Sequence, residues 1–212
     1  MARPIRVLLA DDHQLVCESL KALLEREGFE VVAAAHDGQE AANLAHELHP
    51  DVAVLDLAMP VMNGVDAARA ILQDSPATNA VVLTMHGESQ YILEALRVGV
   101  RGYVLKSQAA GDLAQAIREV ARGTTYVSPA ISRTVVEAYA AKTDTPPDPL
   151  TSRQRQVLQL IAEGKRNKTV AAVLGMSAKT AESHRARIME KLAIRDIAGL
   201  VHYAVRRGLV QA

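Results

Sequence analysis

The fold of the first two-thirds of the chain is decided by residues 52–64, VAVLDLAMPVMNG. The apolar opening of this stretch is typical of a buried strand, and the proline and Asn63-Gly64 that follow indicate a loop. Asp56 is therefore expected at the carboxyl end of a central strand, where open α/β sheets place their chemistry. A carboxylate buried there is costly unless a cation lies opposite it, so further groups are expected to converge on Asp56.

Strand-like and helix-like segments alternate five times from residue 5 to residue 121. The predicted strands are residues 5–10, 30–35, 51–56, 80–84 and 102–105, and a helix-like pattern follows each of them. Short connections between such segments require a parallel sheet with right-handed crossovers. The strands are apolar runs, which indicates a sheet covered on both faces. The predicted fold class is α/β, with a doubly wound, five-stranded parallel sheet.

The alternation ends after Gly123. Residues 128–141 are typical of a linker helix, and residues 143–149, TDTPPDP, are typical of an extended Pro-rich connector. Every segment from Thr151 onward is typical of a helix. We therefore predict a first domain at residues 1–123, a linker at 124–149 and a small all-α domain of four helices at 150–212.

Cysteine usage and hydropathy exclude several classes of protein. Cys17 is the single cysteine, so no intrachain disulfide can form and a reducing, cytoplasmic location is expected. The chain has no signal-peptide-like start and no apolar run of about 18 residues. No contact with a membrane is expected.

The formal net charge of zero hides a strong asymmetry along the chain. Residues 1–149 contain 12 Lys and Arg against 20 Asp and Glu, whereas residues 150–212 contain 12 against 4, giving charges of −8 and +8. A small basic unit that follows an acidic one indicates a nucleic-acid-binding surface confined to the C-terminal part.

Five polar residues follow or end the predicted strands, and they are Asp11, Asp12, Asp56, Thr84 and Lys106. If the first strand lies at the centre of the sheet, these residues meet in one cleft. Crowded carboxylates repel each other unless a divalent cation neutralises them, and hard oxygen ligands suit Mg²⁺. A phosphoryl group on Asp56 would have the metal, the Lys106 ammonium and the Thr84 hydroxyl as partners. Taken singly, Asp12 could cap the first helix and Asp11 could be a solvated loop residue.

Residues 5–121 resemble the receiver domain of bacterial two-component response regulators. The resemblance rests on the motif at residues 56–60, on Asn63-Gly64, and on Thr84 and Lys106. It implies a flavodoxin-like fold in which Asp56 accepts a phosphoryl group from a histidine kinase.

The same resemblance implies individual roles for the pocket residues. Asp12, Asp56 and the backbone carbonyl of Ala58 would hold Mg²⁺ directly, and Asp11 would hold it through water. Thr84 and Lys106 would bind phosphoryl oxygens. Tyr103 matches the aromatic switch of the family, which packs inward when Thr84 is drawn toward the phosphoryl group; the alternative is an ordinary half-buried aromatic residue of a strand.

The C-terminal segments have helix-turn-helix spacing. A short helix at residues 167–174 is followed by a tight turn at 175–177 and a longer helix at 178–192. Ala181, Ile188 and Leu192 share one face of the longer helix and are expected to pack inward. Spacing alone is a weak signal, because basic helix faces are commonly just solvated.

The wider pattern of residues 150–210 resembles the LuxR/NarL/FixJ-type DNA-binding domain. The resemblance implies that the helix at 178–192 enters the major groove of double-stranded DNA and that the last helix dimerises. The implied DNA-binding residues are Lys165, Asn167, Lys168, Lys179, Thr180, Glu182, Ser183, His184, Arg185, Ala186, Arg187 and Lys191. Glu182 stands where the family often has lysine, so that one contact departs from the pattern.

The sequence thus predicts a phosphorylation-switched transcription regulator that is not an enzyme. Its expected partners are a sensor histidine kinase, double-stranded DNA and a second copy of the chain, with RNA polymerase as a further candidate. One alternative is a DNA-binding regulator whose receiver serves only for dimerisation, independently of phosphorylation. Another is a phosphatase-type hydrolase with Asp56 as nucleophile, which is disfavoured because Ala58 stands where such enzymes have a second acid.

Overall fold

The structure, a computed structural model, describes residues 3–85, 89–140 and 148–210. The chain forms two compact units, residues 1–143 and residues 144–212. Most of the predicted Pro-rich connector lies outside the described residues. Residues 124–140, which the sequence assigns to the linker, lie within the first unit, and the predicted domain bounds stay a prediction.

The first unit alternates strands and helices as the apolar pattern predicts. Its strands are β1 Arg6–Ala10, β2 Glu30–Ala35, β3 Val52–Asp56, β4 Asn79–Thr84, β5 Gly102–Leu105 and β6 Tyr126–Val127. Its helices are α1 Gln14–Arg26, α2 Gly38–Leu48, α3 Gly64–Asp74, α4 Ser89–Val98, α5 Ala109–Ala121 and α6 Pro129–Ala140, with a 3₁₀ turn at Lys106–Gln108 before α5.

All pairs in the sheet are parallel, in the order β2-β1-β3-β4-β5-β6. The chain crosses from one side of β1 to the other between β2 and β3, so the carboxyl ends of β1 and β3 frame the crevice where such sheets bind ligands. The doubly wound fold class is confirmed. One strand was missed: β6 adds two residues beside β5, and a two-residue strand is too short to show a hydrophobic period.

Two apolar layers cover the sheet. One packs β-sheet side chains against α2, α3 and α4, and the other packs them against α1 and α5. Ile131 of α6 is fully buried in the first layer, so the predicted linker helix is part of the core of this unit. Burial of both faces explains why the strands are apolar runs.

The second unit contains α7 Ser152–Ala162, α8 Asn167–Val173, α9 Ala178–Leu192 and α10 Ile197–Arg206. Side chains cap three of these helices: Thr151 with Gln154 in a capping box on α7, Ser177 on α9 and Asp196 on α10. Ala181 and Ile188 are buried as predicted, and Leu192 is half-buried. Within the described part of the chain, no helix combines the length and the hydropathy that are needed to span a bilayer.

Candidate functional site

The carboxyl ends of β1 and β3 bring two acidic residues together. Asp56 is the last residue of β3, and Asp11 follows directly after β1, where Ala10 is paired with Leu55. Both aspartates are almost completely buried, at 3% and 1% exposed. This local placement follows from the apolar strands, which carry their terminal acidic residues to the same edge of the sheet.

Lys106 connects the two carboxylates. Its Nζ lies 2.7 Å from Asp11 Oδ2 and 2.9 Å from Asp56 Oδ2, and only 12% of its side chain is exposed. Burial raises the pKa of Asp56, and the Lys106 ammonium opposes this effect. Burial would lower the pKa of Lys106, but the two carboxylates raise it above its ordinary value. One cation thus faces two buried anions, which leaves the pocket negative.

The loop after β3 packs closely against the backbone of Asp56. A Cβ atom on Gly64 would lie 2.1 Å from the backbone oxygen of Asp56, so only glycine fits there without a shift of the backbone. Val61 has a φ of +68°, which is strained for a β-branched residue. The Ala58 amide donates a hydrogen bond to the Asp56 carboxylate, which lowers the pKa of that carboxyl. The loop therefore orients Asp56 through its backbone.

Thr84 and Tyr103 lie on the next two strands. Thr84 ends β4, is buried, and is paired with Leu105, the residue before Lys106. Tyr103 is 1% exposed and its hydroxyl donates to the Val100 carbonyl over 2.9 Å. Burial raises the pKa of Tyr103. Tyr103 thus packs inward and is fully buried, unlike the half-buried strand aromatic considered as the alternative; its role as a switch stays a prediction.

Asp12 lies at the mouth of the pocket beside a residue that the sequence analysis did not single out. Asp12 Oδ1 is 2.8 Å from His13 Nδ1, and Asp11 Oδ1 is 3.3 Å from the same nitrogen. Potential ligand atoms of these three residues all lie within 4.8 Å of one another. Asp11 Oδ2 is buried and, apart from its ion pair with Lys106, has no hydrogen-bond partner among the described residues. The carboxylate oxygens of Asp11 and Asp12 are ligands that suit a hard divalent cation such as Mg²⁺.

The predicted DNA-binding residues lie on α8, on α9 and beside them. Nine are exposed: Lys165, Lys168, Lys179, Thr180, Glu182, Ser183, Ala186, Arg187 and Lys191. Asn167, His184 and Arg185 are half-buried. Lys165, Arg166, Lys168 and Arg185 line one concave surface, and Arg166 is a basic residue that the sequence analysis missed.

Two of these residues make contacts within the chain, and their roles at DNA stay a prediction. Lys191 Nζ donates to Gln154 Oε1 over 3.0 Å and to the Pro149 carbonyl over 3.3 Å, so its ammonium joins α9 to the start of α7. The Thr180 hydroxyl lies 2.8 Å from the Ser177 hydroxyl, within the N-terminal cap of α9. Sequence spacing gave no signal for the Lys191 contact, because Gln154 is 37 positions away.

Family models match both units of the chain. The model described as "Response regulator receiver domain" matches residues 7–118, and the model described as "Bacterial regulatory proteins, luxR family" matches residues 148–204. Among curated proteins, the transcriptional regulatory protein MctR of Rhizobium johnstonii is 37% identical over 207 residues, which cover 97% of this chain and 95% of MctR.

Solved structures that resemble this chain are also response regulators. A two-component response regulator of the LuxR family from Aurantimonas is 38% identical with a TM-score of 0.61, covering 65% of this chain and 99% of that one. RcsB has been solved in complex with DNA, in one case as two dimers on two parallel DNAs. Both RcsB structures are 27% identical with a TM-score of 0.59, and they cover 94% of this chain and 97% of RcsB.

Proposed function

Because this chain belongs to the LuxR family of two-component response regulators, we propose that a phosphoryl group on Asp56 controls how its C-terminal helices bind DNA. The observation that carries this proposal is the position of Lys106, whose ammonium lies between the buried carboxylates of Asp11 and Asp56. A cation held against a nucleophilic carboxylate is suited to bind the oxygens of an arriving phosphoryl group.

The transfer uses groups that the pocket already holds. An Asp56 oxygen forms a bond to phosphorus, while the phosphorus–nitrogen bond of a phosphohistidine on a sensor kinase breaks. Lys106 then pairs with a phosphoryl oxygen, and the Thr84 hydroxyl at the end of the neighbouring strand binds another. Mg²⁺ held by Asp11, Asp12, Asp56 and the Ala58 carbonyl would neutralise charge on the carboxylates and the phosphoryl group.

Movement of Thr84 toward the phosphoryl group is proposed to reach the rest of the unit through Tyr103. Leu83 and Thr84 of β4 are paired with Val104 and Leu105 of β5. A shift at the end of β4 would therefore displace the part of β5 that follows Tyr103. The Tyr103 hydroxyl binds the carbonyl of Val100 in the turn after α4. Repacking of this aromatic ring would therefore change the surface formed by α4 and β5.

We further propose that α9 reads base edges through Glu182, Ser183, Ala186 and Arg187, which are exposed on one side of the helix. The cations around the concave surface, Lys165, Arg166, Lys168 and Arg185, are proposed to bind phosphates. Solved complexes of RcsB support a dimer on DNA. RNA polymerase is a further proposed partner, and a cytoplasmic location is proposed from the family and the single cysteine.

The comparisons favour a DNA-binding regulator over the phosphatase alternative. The matched relatives are transcriptional regulators with a receiver and a DNA-binding domain, and a phosphatase has no support from them. A titration with a phosphodonor distinguishes the remaining two hypotheses. The DNA affinity of a switched regulator changes during the titration, whereas that of a regulator that uses its receiver only for dimerisation does not.

The experiment is phosphorylation of the full chain by acetyl phosphate, read by intact mass and by mapping of the modified peptide. The wild type is expected to gain one phosphoryl group within residues 52–64, and Asp56→Ala to gain none. Asp74→Ala, which removes an exposed carboxylate at the end of α3, is the control and should behave as the wild type. Incorporation that persists in Asp56→Ala would refute the assignment.

A further inference from the structure

We propose that β6 and α6 are the output element of the receiver, because phosphorylation of Asp56 tightens their docking on β5 and so restrains the start of the connector. The inference rests on the proposed function and names the part of the first unit that responds to the pocket. It concerns residues 126–140, which follow the stretch that the receiver-domain model matches, residues 7–118.

The first observation is that this segment is hydrogen-bonded to the strand that carries Tyr103. Val127 is paired with Tyr103, and the Ser128 N–H donates to the Tyr103 carbonyl over 3.0 Å. The Tyr126 N–H donates to the Arg101 carbonyl over 2.8 Å. Movement of the Tyr103 backbone would therefore change the hydrogen bond that holds Ser128, the residue directly before α6.

The second observation is that the Tyr103 ring and α6 share one apolar layer. Tyr103 is 1% exposed and Ile131 is fully buried, and the same layer contains Ile92 and Ala95 of α4. Without β6, β5 would be the edge strand of the sheet, where the burial of an aromatic ring depends on cover from other elements. Inward packing of Tyr103 and docking of α6 should therefore favour each other, and a change that favours one favours the other.

The third observation is that the docking of this segment is weakly stabilised. The strand β6 has two residues, and the buried Ser128 hydroxyl has no hydrogen-bond partner among the described residues. Such a hydroxyl opposes docking, because it gives up its hydrogen bonds to water and gains none in return. Val136 on the same helix is exposed. A segment held in this way can open locally while the rest of the sheet stays folded.

The direction of the switch follows from these contacts. The proposed function pairs phosphorylation with inward packing of Tyr103, and α6 is docked where Tyr103 is packed inward. Phosphorylation should therefore shift the equilibrium between open and docked α6 toward the docked state. The connector at residues 143–149 follows α6 in the chain, so docking of α6 limits where the connector can start.

The competing explanation is that β6 and α6 are a fixed part of the core. In that case their burial is independent of the pocket, and they contribute to stability alone. The two explanations differ in whether the opening of this segment responds to phosphorylation, which hydrogen exchange measures.

The test is hydrogen exchange of the full chain with and without acetyl phosphate, with phosphorylation at Asp56 verified by mass in the same samples. The reporters are the amides of Ser128, Ile131 and Ser132, which donate to the carbonyls of Tyr103 and Ser128. In the wild type these amides should exchange at least about fivefold more slowly after treatment, which is the lower end of typical couplings. Asp56→Ala should show no change.

Two variants change the docking itself. Ser128→Ala removes the unsatisfied hydroxyl and should slow the exchange of the Ile131 and Ser132 amides by about fivefold without acetyl phosphate. Its matched control is Ser75→Ala, which removes another buried hydroxyl without a described partner, at the end of α3, and should leave these amides unchanged. Ile131→Ala should speed their exchange at least about tenfold, while the amides of β1 and β3 stay protected and Asp56 is still phosphorylated.

Three results would overturn the proposal. They are equal exchange of the reporter amides in the wild type with and without a phosphoryl group on Asp56, an effect of Ser75→Ala as large as that of Ser128→Ala, and loss of protection throughout β1 and β3 in Ile131→Ala. Failure of the proposed function is a separate result, because it is read as the absence of a phosphoryl group on Asp56 in the treated wild type.

Discussion

At the level of single residues, one ammonium group holds the pocket together. Among the described residues, Lys106 is the cation that forms ion pairs with both Asp11 and Asp56, and all three side chains are largely buried. Removal of one partner from a buried ion pair leaves uncompensated charge, which costs more than the pair itself contributes. The stability of the receiver should therefore respond strongly to this residue.

We predict that Lys106→Met destabilises the first unit by about 3 kcal/mol when no divalent cation is present. Mg²⁺ should recover part of this loss, because it neutralises the same carboxylates. The control Lys21→Met breaks an exposed pair with Glu25 and should cost less than about 0.5 kcal/mol. Urea unfolding followed by circular dichroism, with and without Mg²⁺, measures both variants. Equal stabilities for wild type and Lys106→Met would contradict the account.

The pH dependence of this contribution has a definite sign. The carboxylates raise the pKa of Lys106 above its ordinary 10.5, so the folded state holds its proton more tightly than the unfolded state. The stabilisation is therefore complete at neutral pH and is lost as the pH rises through the alkaline range.

The positions of the pocket residues could be predicted because they depend on strand ends. Asp11, Asp56 and Thr84 follow or end apolar runs, and parallel strands carry such residues to one edge of the sheet. Ring and side-chain directions could not be predicted in the same way. His13 turns toward the acids and Lys191 turns toward Gln154 because of tertiary contacts that leave no period in the sequence.

At the level of elements, the close packing of the loop after β3 makes one glycine indispensable. A Cβ atom on Gly64, the first residue of α3, would meet the backbone of Asp56 and Leu57 at 2.1 Å and 3.1 Å. Backbone atoms cannot yield as the end of a flexible side chain can. Asp56 and the start of α3 are therefore in close backbone contact.

We predict that Gly64→Ala destabilises the first unit by at least about 2 kcal/mol and slows phosphorylation, because the methyl group displaces the backbone of Asp56. Gly111→Ala is the matched control. It lies on an exposed face of α5 with nothing within 4 Å of the added carbon, and should be neutral or stabilising by up to about 1 kcal/mol. Thermal unfolding and the rate of phosphorylation by acetyl phosphate measure both. A Gly64→Ala protein as stable and as reactive as Gly111→Ala would be inconsistent with this packing.

The start of α9 depends on one side chain. The Ser177 hydroxyl accepts a hydrogen bond from the Thr180 amide over 3.0 Å. We predict that Ser177→Ala destabilises α9 by about 1 kcal/mol, whereas Ser177→Asp retains the cap. Hydrogen exchange of the first-turn amides of α9 reports the effect. Unchanged exchange in Ser177→Ala would show that the cap is not needed.

The elements themselves were largely predictable, with instructive exceptions. Long apolar periods predicted the alternating helices and strands, and the Gly-Met-Ser turn predicted the helix-turn-helix. The strand β6 and the burial of Ile131 in α6 were not predicted, since β6 pairs with the edge of β5 and Ile131 packs into the apolar layer that contains α2, α3 and α4. A segment assigned to a linker can thus join a core when an open sheet edge is available.

At the level of the whole molecule, charge is divided between the two parts of the chain. Residues 1–149 carry a formal charge of −8 and residues 150–212 carry +8. Contacts between DNA phosphates and the C-terminal part should therefore release counterions from the DNA, and the salt dependence of binding should reflect individual phosphate contacts.

We predict that Lys168→Gln reduces the magnitude of the negative slope of log affinity against log salt by about 1. The reason is that the exposed ammonium of Lys168 lines the basic concave surface. Lys191→Gln should change the slope less, since this ammonium is engaged by Gln154 and Pro149. Fluorescence anisotropy on one DNA fragment at several salt concentrations compares the two. A larger change for Lys191→Gln would reverse the assignment of these two lysines.

The coupling between the Asp56 pocket and the DNA-binding helices is tested most directly by the affinity of the full chain for a selected DNA fragment, with and without acetyl phosphate. The wild type should bind about tenfold more tightly after treatment, within the usual range of such couplings. Asp56→Ala should bind as the untreated wild type does under both conditions. Equal enhancement in Asp56→Ala, or none in a wild type phosphorylated at Asp56, would contradict the account.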